Sequence, residues 1–173
     1  MTQKTTKTVI GGVICALIAL IIIRTSGIVG VSANKVERDA RKAHKISNAW
    51  EISQAINYNL CAMIFYNEAL DDHTFSIYVN RNGFSFGYFF RAGGTNGAVA
   101  NGINGFTFDI YGLALISMNT DNVARIELDN DIEVTRIDVN PARPFAVVIP
   151  MNCGSVMLYD VNENIVPITV IQG

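Results

Sequence analysis

The stretch His73–Phe90, HTFSIYVNRNGFSFGYFF, decides the fold class. Apolar residues fall at every second position, first Phe75, Ile77 and Val79, then Phe84, Phe86, Tyr88 and Phe90. That is the period of a strand, whose successive side chains point to opposite faces. Between the two runs stands Asn80-Arg81-Asn82-Gly83. Asn-Gly tolerates the positive φ values of a tight turn, so a β-hairpin is predicted here. The alternation places Phe84, Phe86, Tyr88 and Phe90 on one face and Phe89 on the other. Burial in a sheet core is the expectation for that aromatic face. If exposed, it would mark a partner or lipid surface.

Toward the C-terminus, Gly93–Gly97 reads as a flexible loop and Ala98–Ile103 as one or two helical turns. Short strands are predicted at Phe106–Ile110, Leu113–Met118, Val123–Leu128, Ile132–Val139, Phe145–Ile149, Ser155–Tyr159 and Ile165–Ile171. Asp129-Asn130-Asp131 and Asn162-Glu163-Asn164 supply turns between them. Strands at intervals of about ten residues suggest a small, mostly antiparallel β-sandwich.

Toward the N-terminus the period lengthens. Val36, Ala40, Ala43, Ile46, Ala49, Trp50, Ala55, Ile56, Leu60, Met63 and Ile64 recur at gaps near three and four, the spacing of one helical face. Ser32 is placed to cap such a helix and Asp71-Asp72 to end it. The face is thin and alanine-rich up to Ala43, as in a stalk, and bulky from Ile46, as in a helix packed on the domain.

Before that lies Thr8–Ile23, TVIGGVICALIALIII, sixteen residues without a charge, bracketed by Lys7 and Arg24. A spanning helix needs roughly 20 mostly apolar residues. The run reaches that length if it extends to about Ile28, with Arg24 snorkelling to the headgroups. A single membrane-spanning anchor is therefore expected. A cleaved signal peptide is the competing reading, with Val31-Ser32-Ala33 as the small residues before the cut. A pilin-type subunit would also begin with an apolar helix running into an amphipathic one. The glycine, apolar residue and early glutamate of pilin processing are missing from the start of the run. The chain thus divides into a tail and anchor at 1–31, an amphipathic stalk helix at 32–72 and a β-rich domain at 73–173, an α+β chain.

The net charge of −2 hides a polar molecule. Residues 1–45 carry eight basic and two acidic side chains, whereas residues 46–173 carry five basic and thirteen acidic ones. Arg24, Lys35, Arg38, Arg41, Lys42 and Lys45 form the candidate membrane-surface set, just past the anchor. Anionic lipid attracts such charges by on the order of 1 kcal/mol each near the surface. The acidic remainder excludes the positive footprint that nucleic-acid binding needs. Counted near the span, the positive residues favour a cytoplasmic domain. The short basic tail before a first apolar helix and the sandwich-like fold favour export. An extracytoplasmic domain is the expectation.

No catalytic, cofactor or metal site is expected. His44 and His73 lack partners at ligand spacing, and His44 among its basic neighbours reads as a solvated helix residue. Asp71-Asp72-His73 reads as the turn that leaves the helix. Asp160, Asn162 and Asn164 imitate the start of an EF-hand loop, but Ile165 and Ile171 stand where glycine and glutamate belong. Gly93–Gly105 lacks the lysine and hydroxyl residue of a phosphate loop. The serines have no nucleophile elbow. An arrangement of His73 against Asp109 in a cleft would reopen the question. Cys61 and Cys153 read either as buried small hydrophobes or, in an oxidising compartment, as a disulfide pair.

Asn122-Val-Ala-Arg-Ile-Glu-Leu128, Arg143-Pro-Phe-Ala-Val-Val-Ile-Pro150 and Ser155-Val-Met-Leu-Tyr-Asp160-Val-Asn-Glu-Asn-Ile-Val166 together resemble a pattern in uncharacterised exported proteins of Gram-positive bacteria. That pattern usually has glycine where Glu163 stands. The resemblance implies a β-domain behind an N-terminal membrane helix, and no activity. The expected function is a membrane-anchored, non-catalytic interaction or structural module. Its partners are the lipid bilayer and another membrane or surface protein. A filament subunit and a cytoplasm-facing adaptor are the alternatives.

Overall fold

The computed structural model describes residues 14, 17, 18, 21, 27–81 and 86–172. The molecule is mostly β. After a 3-10 turn at Ala33–Lys35 comes helix α1 (Val36–His44), then strands β1 (Glu51–Ile56), β2 (Leu60–Tyr66), β3 (His73–Asn80) and β4 (Tyr88–Gly94). A short helix α2 (Gly97–Asn101) precedes β5 (Ile103–Phe108), β6 (Gly112–Ser117), β7 (Val123–Asp129) and β8 (Val134–Asp138). The chain ends with β9 (Phe145–Ile149), β10 (Ser155–Asp160), β11 (Ile165–Val166) and β12 (Ile168–Gln172).

These strands form three four-stranded sheets, ordered β1-β2-β3-β4, β12-β5-β6-β9 and β11-β10-β7-β8. All pairs are antiparallel except β12 with β5. Alternation sorts the side chains into layers. Leu60, Ala62, Ile64, Phe75 and Ile77 of the first sheet meet Phe106, Ala114, Ile116 and Ala146 of the second. The opposite face of the second sheet, with Ile103, Leu115, Phe145 and Ile149, meets Val123, Ile126, Leu128 and Leu158 of the third. The outer face of the first sheet, with Cys61, Met63, Phe65, Tyr78 and Tyr88, is covered by Val36 and Ala40 of α1. The order of layers is helix, sheet, sheet, sheet, a sandwich with one sheet more than a simple pair.

The seven predicted C-terminal strands are all present, with one division. Pro167 interrupts the last of them: β11 pairs with β10 in the third sheet, and β12 pairs with β5 in the second. Proline has no N–H for a ladder, which suits the point where a strand changes sheets. Both predicted turns are in place, with Asp131 at φ 68° and Glu163 at φ 64°.

The long helix expected over 32–72 is not. Only Val36–His44 is α-helical, and residues 51–66 form β1 and β2. The boundary expected at residues 72 and 73 falls inside the first sheet. β2 is the reason. It is central and buried along its whole length, LCAMIFY, so its apolar run carries no period of two. The helix stops where Lys45 turns left-handed at φ 56°. The Asn57 side-chain oxygen then accepts the Asn59 and Leu60 N–H groups at 2.8 and 2.7 Å, closing the turn between β1 and β2. Nor does α1 stand away as a stalk, since Val36 and Ala40 are fully buried against the sheet.

The hairpin β3–β4 exists, but its first pair is Asn80 with Tyr88, so residues 81–87 make the connection. Asn82-Gly83 and Phe84 lie outside the described residues. Gly93-Gly94 extends β4 rather than forming a loop. The aromatic face is split. Tyr88 is buried, whereas Phe86 is 68% and Phe90 47% exposed. β4 is the edge of its sheet, and a nine-residue helix about 13 Å long covers only part of that face.

Candidate functional site

The candidate site is the corner where the chain enters the domain. Among the described residues no helix is long and apolar enough to cross a membrane. Most of the apolar run 8–23 lies outside the described residues, as does Arg24. Ile14, Leu17, Ile18 and Ile21 are described, and each is helical and at least half exposed.

At Gly27 the backbone turns left-handed, φ 66°, which corrects the expected continuation of the apolar helix to about Ile28 and of the anchor to residue 31: a helix ends before residue 28. Residues 28–31 then run extended along the edge of β4. Phe86 N–H donates to the Ile28 carbonyl at 2.8 Å and Gly30 N–H to the Phe86 carbonyl at 2.6 Å. Val31 and Tyr88 exchange both backbone bonds, at 2.8 and 2.7 Å. The short segment thus covers an edge whose N–H and C=O groups would otherwise be open. Two glycines allow this approach. A Cβ on Gly30 would lie 2.6 Å from the Tyr88 carbonyl oxygen, and one on Gly87, at φ 91°, 2.8 Å from the Val31 carbonyl oxygen. Neither glycine stood out in the sequence, because the requirement comes from a backbone almost sixty residues away.

From Ser32 the chain turns into α1. Asp39 accepts the Tyr78 hydroxyl at 2.9 Å. Burial first, and then this bond, push the Tyr78 hydroxyl well above its ordinary value. Tyr88 is pushed up chiefly by burial, and its hydroxyl donates to the Asn57 carbonyl.

The six expected membrane-surface residues have separate fates. Lys35, Arg38 and Lys42 are exposed and make no ion pair among the described residues. They face an open groove whose other wall is Val29–Ser32, with Asp39 between them. Lys45 is exposed in the left-handed cap at the far end of the helix. Arg41 is not a surface cation at all. It pairs with Glu37 at 2.8 Å, donates to the Ser47 and Trp50 carbonyls at 2.8 and 3.1 Å, and lies 4.9 Å above the Phe65 ring. Sequence alone could not separate it from its neighbours. Its burial follows from the turn after α1, which offers it two carbonyls.

His44 is half-buried rather than solvated. Its ring lies 5.7 Å from that of Phe90, over Gly93, where a side chain would strike its Nε2. His73 opens β3, is buried, and bonds the Asn96 carbonyl through Nε2 at 3.1 Å. It lines a cleft with Asp71 and Asn119. Asp109 lines a different cleft, with Arg91 and Tyr111. The two are therefore not brought together. Among the described residues no three His, Cys, Asp or Glu side chains are grouped as for a metal.

Cys61 and Cys153 are free. Cys61 faces the helix layer and Cys153 the interface of the second and third sheets, so a disulfide between them is excluded by the layering. Burial pushes the Cys61 thiol up to about 11, against a smaller opposing effect of the hydrogen bond from Gln54. No protein-family model, curated protein or solved structure matches this chain.

Proposed function

We propose that this chain is a single-pass membrane protein whose β-rich domain is displayed outside the cell as a non-catalytic interaction or structural module. The observation that carries the reading is the uncharged run Thr8–Ile23 between Lys7 and Arg24, followed within a few residues by a fully packed domain. The layered sheets, packed through two continuous cores, support the reading as a scaffold. The filament reading needs one helix from the apolar run into α1. The left-handed Gly27 and extended residues 28–31 favour the plain anchor instead.

Two measurements on the full chain test this. Carbonate and high-salt washing should leave the protein in the membrane fraction, and release by salt alone would sink the anchor. Ile132, 94% exposed, is then changed to Cys in a Cys153→Ser background. An impermeant thiol label should react in intact cells. Labelling only after lysis would favour the cytoplasm-facing adaptor.

A further inference from the structure

We infer that the groove between residues 29–32 and α1 is a docking site for anionic phospholipid headgroups, with Phe86 inserted beside it at the membrane interface. The inference rests on the anchored reading above and adds to it the face that meets the bilayer.

Three observations carry it. The first is reach. Only Arg24–Gly27 separate the apolar run from the segment held on β4. Four extended residues span at most about 14 Å, whereas a domain of this size is roughly 40 Å across. The entry corner must therefore sit near the bilayer surface. The second is charge. Lys35, Arg38 and Lys42 line the groove without ion-pair partners among the described residues. The carboxylate in the groove, Asp39, is engaged by the Tyr78 hydroxyl, and Glu37 beside it is paired with Arg41. The domain beyond is acidic, so the attraction is confined to this corner. It also decays within about 8 Å at physiological salt, a distance that the short tether keeps within range. The third is the apolar rim. Ile28 is 37%, Val29 52% and Phe86 68% exposed. Val29 and Phe86 are bridged neighbours, which places an aromatic and two aliphatic side chains at the end of the groove nearest the anchor. Cations above an aromatic and aliphatic edge are the composition of an interfacial membrane surface. Phosphodiester oxygens of the headgroups would accept from Lys35, Arg38 and Lys42, as the lipid chains receive Phe86.

The test uses the full chain in nanodiscs of phosphatidylcholine, with or without one third phosphatidylglycerol. A benzophenone amino acid replaces Phe86 in one protein and Ile132 in another, both at exposed positions. Illumination followed by mass spectrometry should give lipid adducts at position 86 and not at 132. The yield at 86 should rise several-fold with phosphatidylglycerol and fall back in high salt. Lys35→Glu with Arg38→Glu and Lys42→Glu should remove that rise while leaving carbonate resistance intact. Equal adducts at 86 and 132, none at 86, or a yield at 86 indifferent to phosphatidylglycerol would each overturn the inference in a protein that remains embedded. A protein that does not embed would overturn the anchored reading instead.

Discussion

The Tyr78 hydroxyl donates to Asp39 at 2.9 Å and is the hydrogen bond that ties the groove-lining helix to the sheet below it. The two partners are unequal. Tyr78 is 1% exposed, whereas Asp39 is only partly buried. Tyr78→Phe leaves a carboxylate that water can still reach and should cost about 1 kcal/mol. Asp39→Ala leaves a buried hydroxyl without an acceptor and should cost more, about 1–3 kcal/mol. Urea unfolding of both variants and of the double variant measures this. A double variant no worse than Asp39→Ala alone would show that the bond is the whole effect, and equal costs for the single variants would refute the assignment.

Gly87→Ala should loosen the joint between the anchor and the domain. The new Cβ would meet the Val31 carbonyl oxygen at 2.8 Å, on a backbone held at φ 91°. Strain of this kind is on the order of 1–3 kcal/mol, and the cheapest relief is to release residues 28–31 from β4. Hydrogen exchange should then speed up at the Gly30, Val31 and Tyr88 amides while β2 remains protected. Gly97→Ala is the control, because its Cβ has open space and alanine favours the first turn of α2. Uniform loss of protection in Gly87→Ala would mean that the joint belongs to the global fold.

The legibility of this fold in the sequence tracks how its strands are buried. β3 shows itself through Phe75, Ile77 and Val79, and the strands of the third sheet have one face toward water and turns rich in Asp and Asn. β2 gives no such sign. Its even-numbered residues face the second sheet and its odd-numbered ones face α1, so both faces are apolar and the run imitates a helix. β1 is drawn into the same misreading by Ala55 and Ile56. The cations of the candidate site are legible as a cluster. Which of them turn inward is not, because Arg41 is recruited by carbonyls six and nine residues away rather than by its helix neighbours alone. That Pro167 divides the last strand between two sheets is not legible either, since it depends on which strands lie alongside.

Cys61 should make the protein sensitive to alkali. Its thiol is held up to about 11 from 9.0 by burial. A group whose folded pKa is raised contributes stability that is complete below its unfolded value and lost as the pH rises through the folded one. The window is thus pH 9 to about 11, and a shift of this size is worth roughly 2–3 kcal/mol. Cys61→Ala should reduce the loss in that window without abolishing it, because burial also raises Tyr78 and Tyr88, at the cost of the smaller side chain at every pH. In a Cys15→Ser background a thiol reagent at pH 8 should modify Cys153 quickly and Cys61 only on unfolding. Rapid reaction of both would contradict the layering.

Glu163 occupies a left-handed turn position, φ 64°, that glycine would adopt without strain, yet both its oxygens accept from Arg125, at 2.8 and 2.5 Å. Glu163→Gly therefore exchanges an ion pair for a relaxed backbone, whereas Glu163→Gln keeps the strain and removes the charge. Exposed ion pairs weaken as salt rises and backbone strain does not. Relative to the wild type, the melting temperature of Glu163→Gly should rise between low and high salt, and Glu163→Gln should remain below Glu163→Gly throughout. Acid gives the second readout. The Arg125 hydrogen bond lowers the Glu163 carboxyl pKa, and hydrogen bonds from Asn164, then Asn162, lower that of Asp160. Groups lowered in the fold contribute stability that is present above their unfolded values, roughly pH 4, and lost as the pH falls through the folded ones. The wild type should thus lose its advantage over Glu163→Gly below about pH 4. A difference between the two proteins that is constant across salt and pH would mean that Arg125 and Glu163 contribute nothing as an ion pair in solution.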